Sequence, residues 1–375
     1  MGRILTLIED RKRVQRELER NLPTEVVERA RRDPHRRRIP RPCGITIHTS
    51  VGCSNRCVYC YIYDMGFPAT VEKYPLTAEG VVYALSLNRY VAPARTLAAY
   101  GSVTEPFNPI TKSFSLKLMK LVHRYLGLPS QVSTKSILNG DTVSGLAAAD
   151  PRFSILVTVV TIDRARVLEP YAPSPIDRIV HAGYASRYLH TSLFIRPVIP
   201  GVTDAEIDRI IKVSVEHGVK HIVVGSLRVT RGVLSRIHGV DPQLHKDIIS
   251  RLSREPRGGQ ITVAETDVKD RIIRSAMDYQ LKIYTSACQA NIDAHKEFCN
   301  MCRMGPCGNT GRVGAADEGD IAEFLEHSGI RLGGIRLSRD GVDIEMRGRI
   351  RRERIEYVKR FLEQVLRLRV EIRNR

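Results

Sequence analysis

Pro42-Cys43-Gly44-Ile45-Thr46-Ile47-His48-Thr49-Ser50-Val51-Gly52-Cys53-Ser54-Asn55-Arg56-Cys57-Val58-Tyr59-Cys60 decides the reading of this 375-residue chain. The run 44–49 is short, apolar and β-branched, as a buried strand is, and three cysteines follow it in C-x3-C-x2-C spacing. Three thiolates on one loop can hold three irons of a [4Fe-4S] cube and leave the fourth iron open. A structural cluster or zinc site would want a fourth ligand close by, and none follows within the loop. Cys53, Cys57 and Cys60 are therefore the candidate metal ligands, and their number points to chemistry.

Downstream, strand-like runs at 96–101, 131–134, 154–161, 189–197 and 220–225 alternate with helix-length segments at 77–90, 113–125, 175–188 and 204–217. With 44–49 that gives six strands of a parallel βα array, an α/β partial barrel. Ligands in such folds sit beyond the carboxyl ends of the strands, so the residues after each strand are the ones to inspect. These are Tyr100-Gly101-Ser102-Val103-Thr104-Glu105, Ser133-Thr134-Lys135-Ser136, Thr158, and Arg196-Pro197-Val198-Ile199-Pro200-Gly201-Val202-Thr203-Asp204.

The cysteine spacing, with Tyr59 just before the last cysteine, resembles the radical S-adenosylmethionine (SAM) superfamily. The later runs, with Leu168-Glu169-Pro170 and Arg178, resemble its spore photoproduct lyase-like, DNA-repair-photolyase-like branch. The resemblance implies a partial (β/α)6 barrel, a [4Fe-4S] cluster whose open iron is chelated by S-adenosyl-L-methionine, and a low-potential electron donor of ferredoxin or flavodoxin type. It implies cofactor contacts from Tyr59, Ser102, Thr104, Glu105, Lys135, Thr158, Arg196, Ile199, Gly201 and Gly225, and catalytic roles for Tyr59, Tyr61 and Lys135. For Glu169, Arg178 and Arg196 a structural ion pair is the competing reading, and for both tyrosines ordinary packing. One departure stands out. Ser102 occupies the place of the cysteine that returns hydrogen to product in true spore photoproduct lyases, and an alcohol O–H is a poor hydrogen-atom donor.

A second group, Cys288, Cys299, Cys302 and Cys307, has C-x10-C-x2-C-x4-C spacing and satisfies a closed site for a second [4Fe-4S] cluster or zinc. Thiols clustered this way imply metal and a cytoplasmic, reducing setting rather than a disulfide framework. Cys43, at the start of the first strand, is expected to be buried at the barrel's far end. No apolar run approaches the roughly 20 residues of a spanning helix, so a membrane role is excluded.

The expected units are a basic helical extension (1–42), the barrel and its extension (43–285), the four-cysteine segment (286–312) and a small basic α+β module (313–375). In the last, helices at 320–327 and 351–366, a hairpin at Arg339-Asp340-Gly341 and a strand at 368–372 are expected. The net charge is +18. Residues 1–42 and 335–375 each carry 13 Lys and Arg against 7 acids, so the excess is concentrated at the ends. That favours a polyanion as partner, with nucleic acid as substrate. A solvated face of ion-paired helix is the bland alternative. Two other functions stay open: the same radical chemistry on a protein, peptide or small molecule, and a non-enzymatic, metal-containing nucleic-acid-binding protein.

Overall fold

Seven strands form the central sheet: β1 (Ile45–Thr46), β2 (Ala98–Tyr100), β3 (Ser130–Thr134), β4 (Ser154–Thr158), β5 (His190–Val198), β6 (His221–Ser226) and β7 (Lys282–Tyr284), in that spatial order. Every neighbouring pair is parallel. The structure, a computed structural model, describes residues 1–309 and 316–374; the expected boundary at 312–313 lies outside the described residues.

Alternation along each strand explains the layers. Ile155 and Val157, Leu193 and Ile195, and Ile222 and Val224 face the surrounding helices in one large core. Their neighbours Leu156, Phe194 and Val223 therefore face the barrel interior, as do Thr158, Arg196 and Gly225 further along the same strands. The helices Ala78–Ser86, Lys112–Leu126, Gly140–Ala149, Pro175–Ala185 and Thr203–Glu216 cover the outside. The Thr77 hydroxyl caps the first by accepting from Gly80 N (3.1 Å), and Ser174 caps the fourth with Pro175 at its first position.

Two expectations shift. The strand expected over 154–161 ends at Thr158, because the Glu206 carboxylate draws Thr161 Oγ1 (2.5 Å) and Ile162 N (2.6 Å) into a turn. A seventh strand, β7, joins the six that were anticipated; three residues are too short to stand out as a pattern.

The helix Ala287–Ala294 closes the base of the barrel, where Ala290 packs against Leu156, Phe194, Val223 and Tyr284. Gln131 donates to Ala287 O (2.9 Å) and Asn291 to Pro129 O (3.2 Å), which ties the plug to the starts of the strands. Beyond it, the helices Glu318–His327 and Arg352–Leu366 pack on a sheet of Arg331–Leu337, Val342–Arg347 and Val370–Asn374. Ile4 and Ile8 of the N-terminal helix Arg3–Asn21 enter this core beside Phe324 and Phe361, so the two ends of the chain share one core. Arg367 donates to Arg95 O (2.7 Å), which fixes the module beneath β2. No helix among the described residues is long and apolar enough to cross a membrane.

Candidate functional site

The loop after β1 is built around Gly52, whose φ of +76° and tight surroundings exclude a side chain: a Cβ there would stand 2.2 Å from Thr70 O. Thr104 donates to Gly52 O (2.7 Å) and meets the Ser50 hydroxyl, so the turn after β2 braces the cysteine loop. Further hydrogen bonds hold Cys53 N on Pro68 O (3.2 Å) and Val58 N on Leu168 O (2.9 Å). Arg236 donates to Cys60 O (2.7 Å) and pairs with Asp64 (2.9 Å).

Cys57 is buried, and Cys53 and Cys60 are partly exposed. Burial pushes all three thiols up, Cys53 to about 11 and Cys57 to about 12, while the Lys135 ammonium pulls each the other way. Lys135, just after β3, reaches the loop that carries the trio, with Nζ 5.4 Å from the centre of the Tyr59 ring. Among the described residues no three His, Cys, Asp or Glu side chains converge as the ligands of a single ion do. A four-iron cube takes one thiolate per iron, so its ligands stand apart around it, which suits cysteines distributed along a loop. The trio fits such a cluster with one iron left free.

Beneath the loop lies an enclosed polar network. Tyr59 donates to Glu169, whose carboxylate also accepts from Arg178 (2.5 Å) and lies 3.9 Å from Lys135 Nζ. Arg178 donates in addition to Thr158 O (2.6 Å). Burial alone would raise the Glu169 carboxyl, but Arg178 and Lys135 together outweigh it and hold it below its ordinary value. The Tyr59 phenol is driven well up by its burial and by the Glu169 charge. Lys135 lies 5.4 Å from the centre of the Tyr59 ring. Glu169 and Arg178 thus form a fully buried ion pair that supports the loop, and neither has solvent access.

Glu105, expected among the cofactor contacts, is buried, and its carboxylate accepts from Thr134 Oγ1 (2.5 Å) and Lys135 N (2.8 Å). Its internal role is to lock the turn after β2 to the end of β3. Ser102 is exposed at the interior mouth, 3.5 Å from Thr46 Oγ1. Arg196 lines the interior over Phe194 (5.8 Å) and against Gly225. Ile199 is buried, and Gly201 (φ +78°) makes an open turn with its N–H on Asp204 (2.7 Å). Tyr61 packs beside Cys60 at the edge of the neighbouring apolar cluster.

Sequence reasoning missed the Asp33–His35–His48–Arg38 group beside β1. The Asp33 carboxylate takes the His35 Nδ1 proton (2.7 Å), leaving His35 Nε2 to accept from His48 N (3.1 Å). Arg38 donates to Thr46 O (2.6 Å) and lies 2.9 Å from His48 Nε2. These four residues precede the loop closely but in no recognisable ligand spacing, and Arg236 reaches it from more than 170 residues away, so neither carries a spacing signal.

The second cysteine group lies at the opposite pole, under the strand starts. Cys299 and Cys307 face each other across the ribbon Phe298–Cys299 and Cys307–Gly308, Cys302 lies in its connection, and Cys288 opens the plug helix. Gln289 donates to Cys307 Sγ (3.6 Å), and burial raises Cys288 to about 12. Cys43 corrects an expectation: it does lie at this pole, but exposed, and near enough to Cys288 for the two thiols to influence one another. Its backbone turns through the buried Gly44 (φ +106°) before the strand begins, which leaves the Cys43 side chain outside the core.

No protein-family model and no curated protein matches this sequence. Solved structures do. A cysteine-to-serine variant of spore photoproduct lyase superposes with a TM-score of 0.55 at 15% identity, over 66% of this chain and 79% of that one. Another variant, with bound AdoMet and dinucleoside spore photoproduct, gives 0.56 at 14% identity, over 68% and 81%. At this identity the likeness is one of fold: the chain has the partial-barrel architecture of the spore photoproduct lyases, and the expected fold class holds.

Proposed function

We propose that this chain is a radical SAM enzyme that acts on nucleic acid. The observation that carries the reading is the position of the Cys53, Cys57 and Cys60 loop at the carboxyl-end mouth of a barrel with the spore photoproduct lyase fold, where Lys135 lies 5.4 Å from the Tyr59 ring of that loop. A [4Fe-4S] cluster bound there would supply reductive cleavage of S-adenosyl-L-methionine to a 5'-deoxyadenosyl radical, with the electron drawn from a ferredoxin- or flavodoxin-type protein.

The chain's own residues do the positioning. Lys135, charged and largely enclosed, offers an ammonium to the carboxylate of SAM. Thr104 braces the loop that carries the cysteines, Glu105 holds the turn after β2 on the end of β3, and the Glu169–Arg178 pair keeps Tyr59 and Lys135 in place. Arg196 supplies a second cation to the interior, and Gly201 leaves backbone open to an adenine. Ser102 faces the cavity with an O–H bond too strong to replace a thiol as hydrogen donor. This favours a modification other than reversal of a thymine photoproduct. The charge of +18 supports a polyanionic substrate.

The test is anaerobic reconstitution with iron and sulfide, followed by SAM and a low-potential reductant. Release of 5'-deoxyadenosine is expected, and its loss in Cys57→Ala. No product from the wild-type chain would overturn the reading.

A further inference from the structure

The two basic ends of the chain meet in one cavity. It has a volume of about 430 Å³, within the range of ligand sites, and lies between the N-terminal helix, the segment after Ala78–Ser86 and the helices of the C-terminal module. Arg11, Lys12, Arg89, Arg351 and Arg354 line it against a single acid, Glu353.

The ion pairs of this region engage Lys12 with Glu9 (2.7 Å) and Arg89 with Glu353 (2.9 Å). Among the described residues no carboxylate comes within ion-pair distance of Arg11, Arg351 or Arg354. Arg11 is 7% exposed, held by the carbonyl oxygens of Asn88 and Val91 and lying over the Phe361 ring (5.9 Å). A guanidinium kept from water without a counter-charge is costly, and an arriving anion relieves that cost. Arg89 is held in place between the Tyr90 and Tyr357 rings, 5.1 and 5.2 Å away. Arg351 and Arg354 are exposed at the rim, where a chain of phosphates would first arrive.

We propose that this cavity is a phosphate-binding site for the backbone of a nucleic acid chain. The proposal rests on the nucleic-acid reading above and adds where the chain is gripped. The location carries a consequence. Arg89 follows the end of a helix that returns from the carboxyl ends of the strands, and the module is fixed beneath β2 through Arg95, so the cavity is at the base of the barrel, away from Cys53, Cys57 and Cys60. A five-residue strand alone separates the two ends by about 17 Å. At about 3.4 Å per nucleotide along a base-stacked strand, a substrate reaching both sites spans about five nucleotides. Binding through phosphates alone reads no sequence, so the cavity anchors the substrate and the barrel mouth selects the base.

The test uses the full chain and labelled single-stranded RNA and DNA of 4 and 20 nucleotides, with dissociation constants measured across a salt series. In Arg351→Ala/Arg354→Ala the 20-mer is expected to bind about tenfold more weakly, with the salt slope reduced by about 1.4. The exposed pair Lys212→Ala/Lys246→Ala, an equal change of charge elsewhere, should leave both unchanged. SAM cleavage without substrate should be the same in all three proteins. Wild-type affinity and slope in the cavity variant would overturn the proposal, as would an equal loss in the control variant; a 4-mer bound as tightly as the 20-mer would overturn the anchoring of one strand at both ends of the barrel. Competition by millimolar inorganic phosphate alone, with no RNA or DNA bound at any salt, would assign the cavity to a free anion and overturn it too. Failure of the wild-type chain to bind either polymer would instead remove the nucleic-acid reading itself.

Discussion

Arg196 lies across Gly225, so closely that a Cβ on residue 225 would stand 2.7 Å from its Cδ. The bare backbone of β6 is the space through which the β5 guanidinium reaches along the barrel interior. Gly225→Ala should push Arg196 aside at an overpacking cost of about 1–3 kcal/mol. The expected outcome is kcat/KM for SAM about tenfold lower, with a melting temperature only a few degrees down. An unchanged kcat/KM would exclude Arg196 from the site.

Glu169→Gln leaves Arg178, fully enclosed, without its counter-charge. Breaking a buried pair from one side costs about 3–5 kcal/mol, because the orphaned charge stays desolvated. Tyr59→Phe removes one hydrogen bond to the same carboxylate and should cost about 1–3 kcal/mol. Urea denaturation of the two variants checks the order; a Glu169→Gln loss below that of Tyr59→Phe would contradict the ion-pair assignment.

His48 and His190 make stability depend on pH. Burial first, then neighbouring Arg38 for His48 and His221 for His190, lowers the imidazoles to about 3 and about 4. In the unfolded chain both titrate near 6.5. Between these values the unfolded chain binds more protons, so stability is complete above about pH 6.5 and declines as pH falls toward 4. The slope reaches about 1.4 kcal/mol per pH unit for each histidine. Melting measured from pH 7 to pH 4 should show this decline, and His48→Gln/His190→Gln should flatten it. A double variant with the wild-type slope would place the pH dependence elsewhere.

The barrel was readable from the chain because its strands obey simple rules: β4 to β6 have buried apolar centres at 155–157, 193–195 and 222–224, and helices capped by Asn139 and Ser174 follow β3 and β4. The cysteine loop was readable because its ligands are neighbours in sequence. What escaped prediction depends on distant partners. The union of Ile4 and Ile8 with Phe324 joins segments more than 300 residues apart, and nothing in the N-terminal helix distinguishes its two apolar stretches, one for the barrel and one for the module. Glu105 shows the same limit at the site. Its position after β2 was informative, but its engagement with Thr134 and Lys135 N follows from strand adjacency.

Iron content separates the two cysteine groups. If both hold four-iron clusters, the reconstituted chain should carry about eight irons, and Cys53→Ala/Cys57→Ala/Cys60→Ala about four with no SAM cleavage. Zinc at the second group would place four sulfurs about 2.3 Å from one centre and leave only about four irons per chain. The second group also has a different mechanical setting. Its ribbon is tied to the C-terminal module through Asn300, which donates its backbone N–H to Arg367 O (2.7 Å) and its side-chain amide to Arg339 O (3.1 Å). Cys299→Ala/Cys302→Ala should therefore lower the melting temperature by many degrees, whereas the triple variant at the other pole should change it little. One zinc and four irons per wild-type chain would refute a cluster at the base, and equal melting of the two variants would refute its structural role.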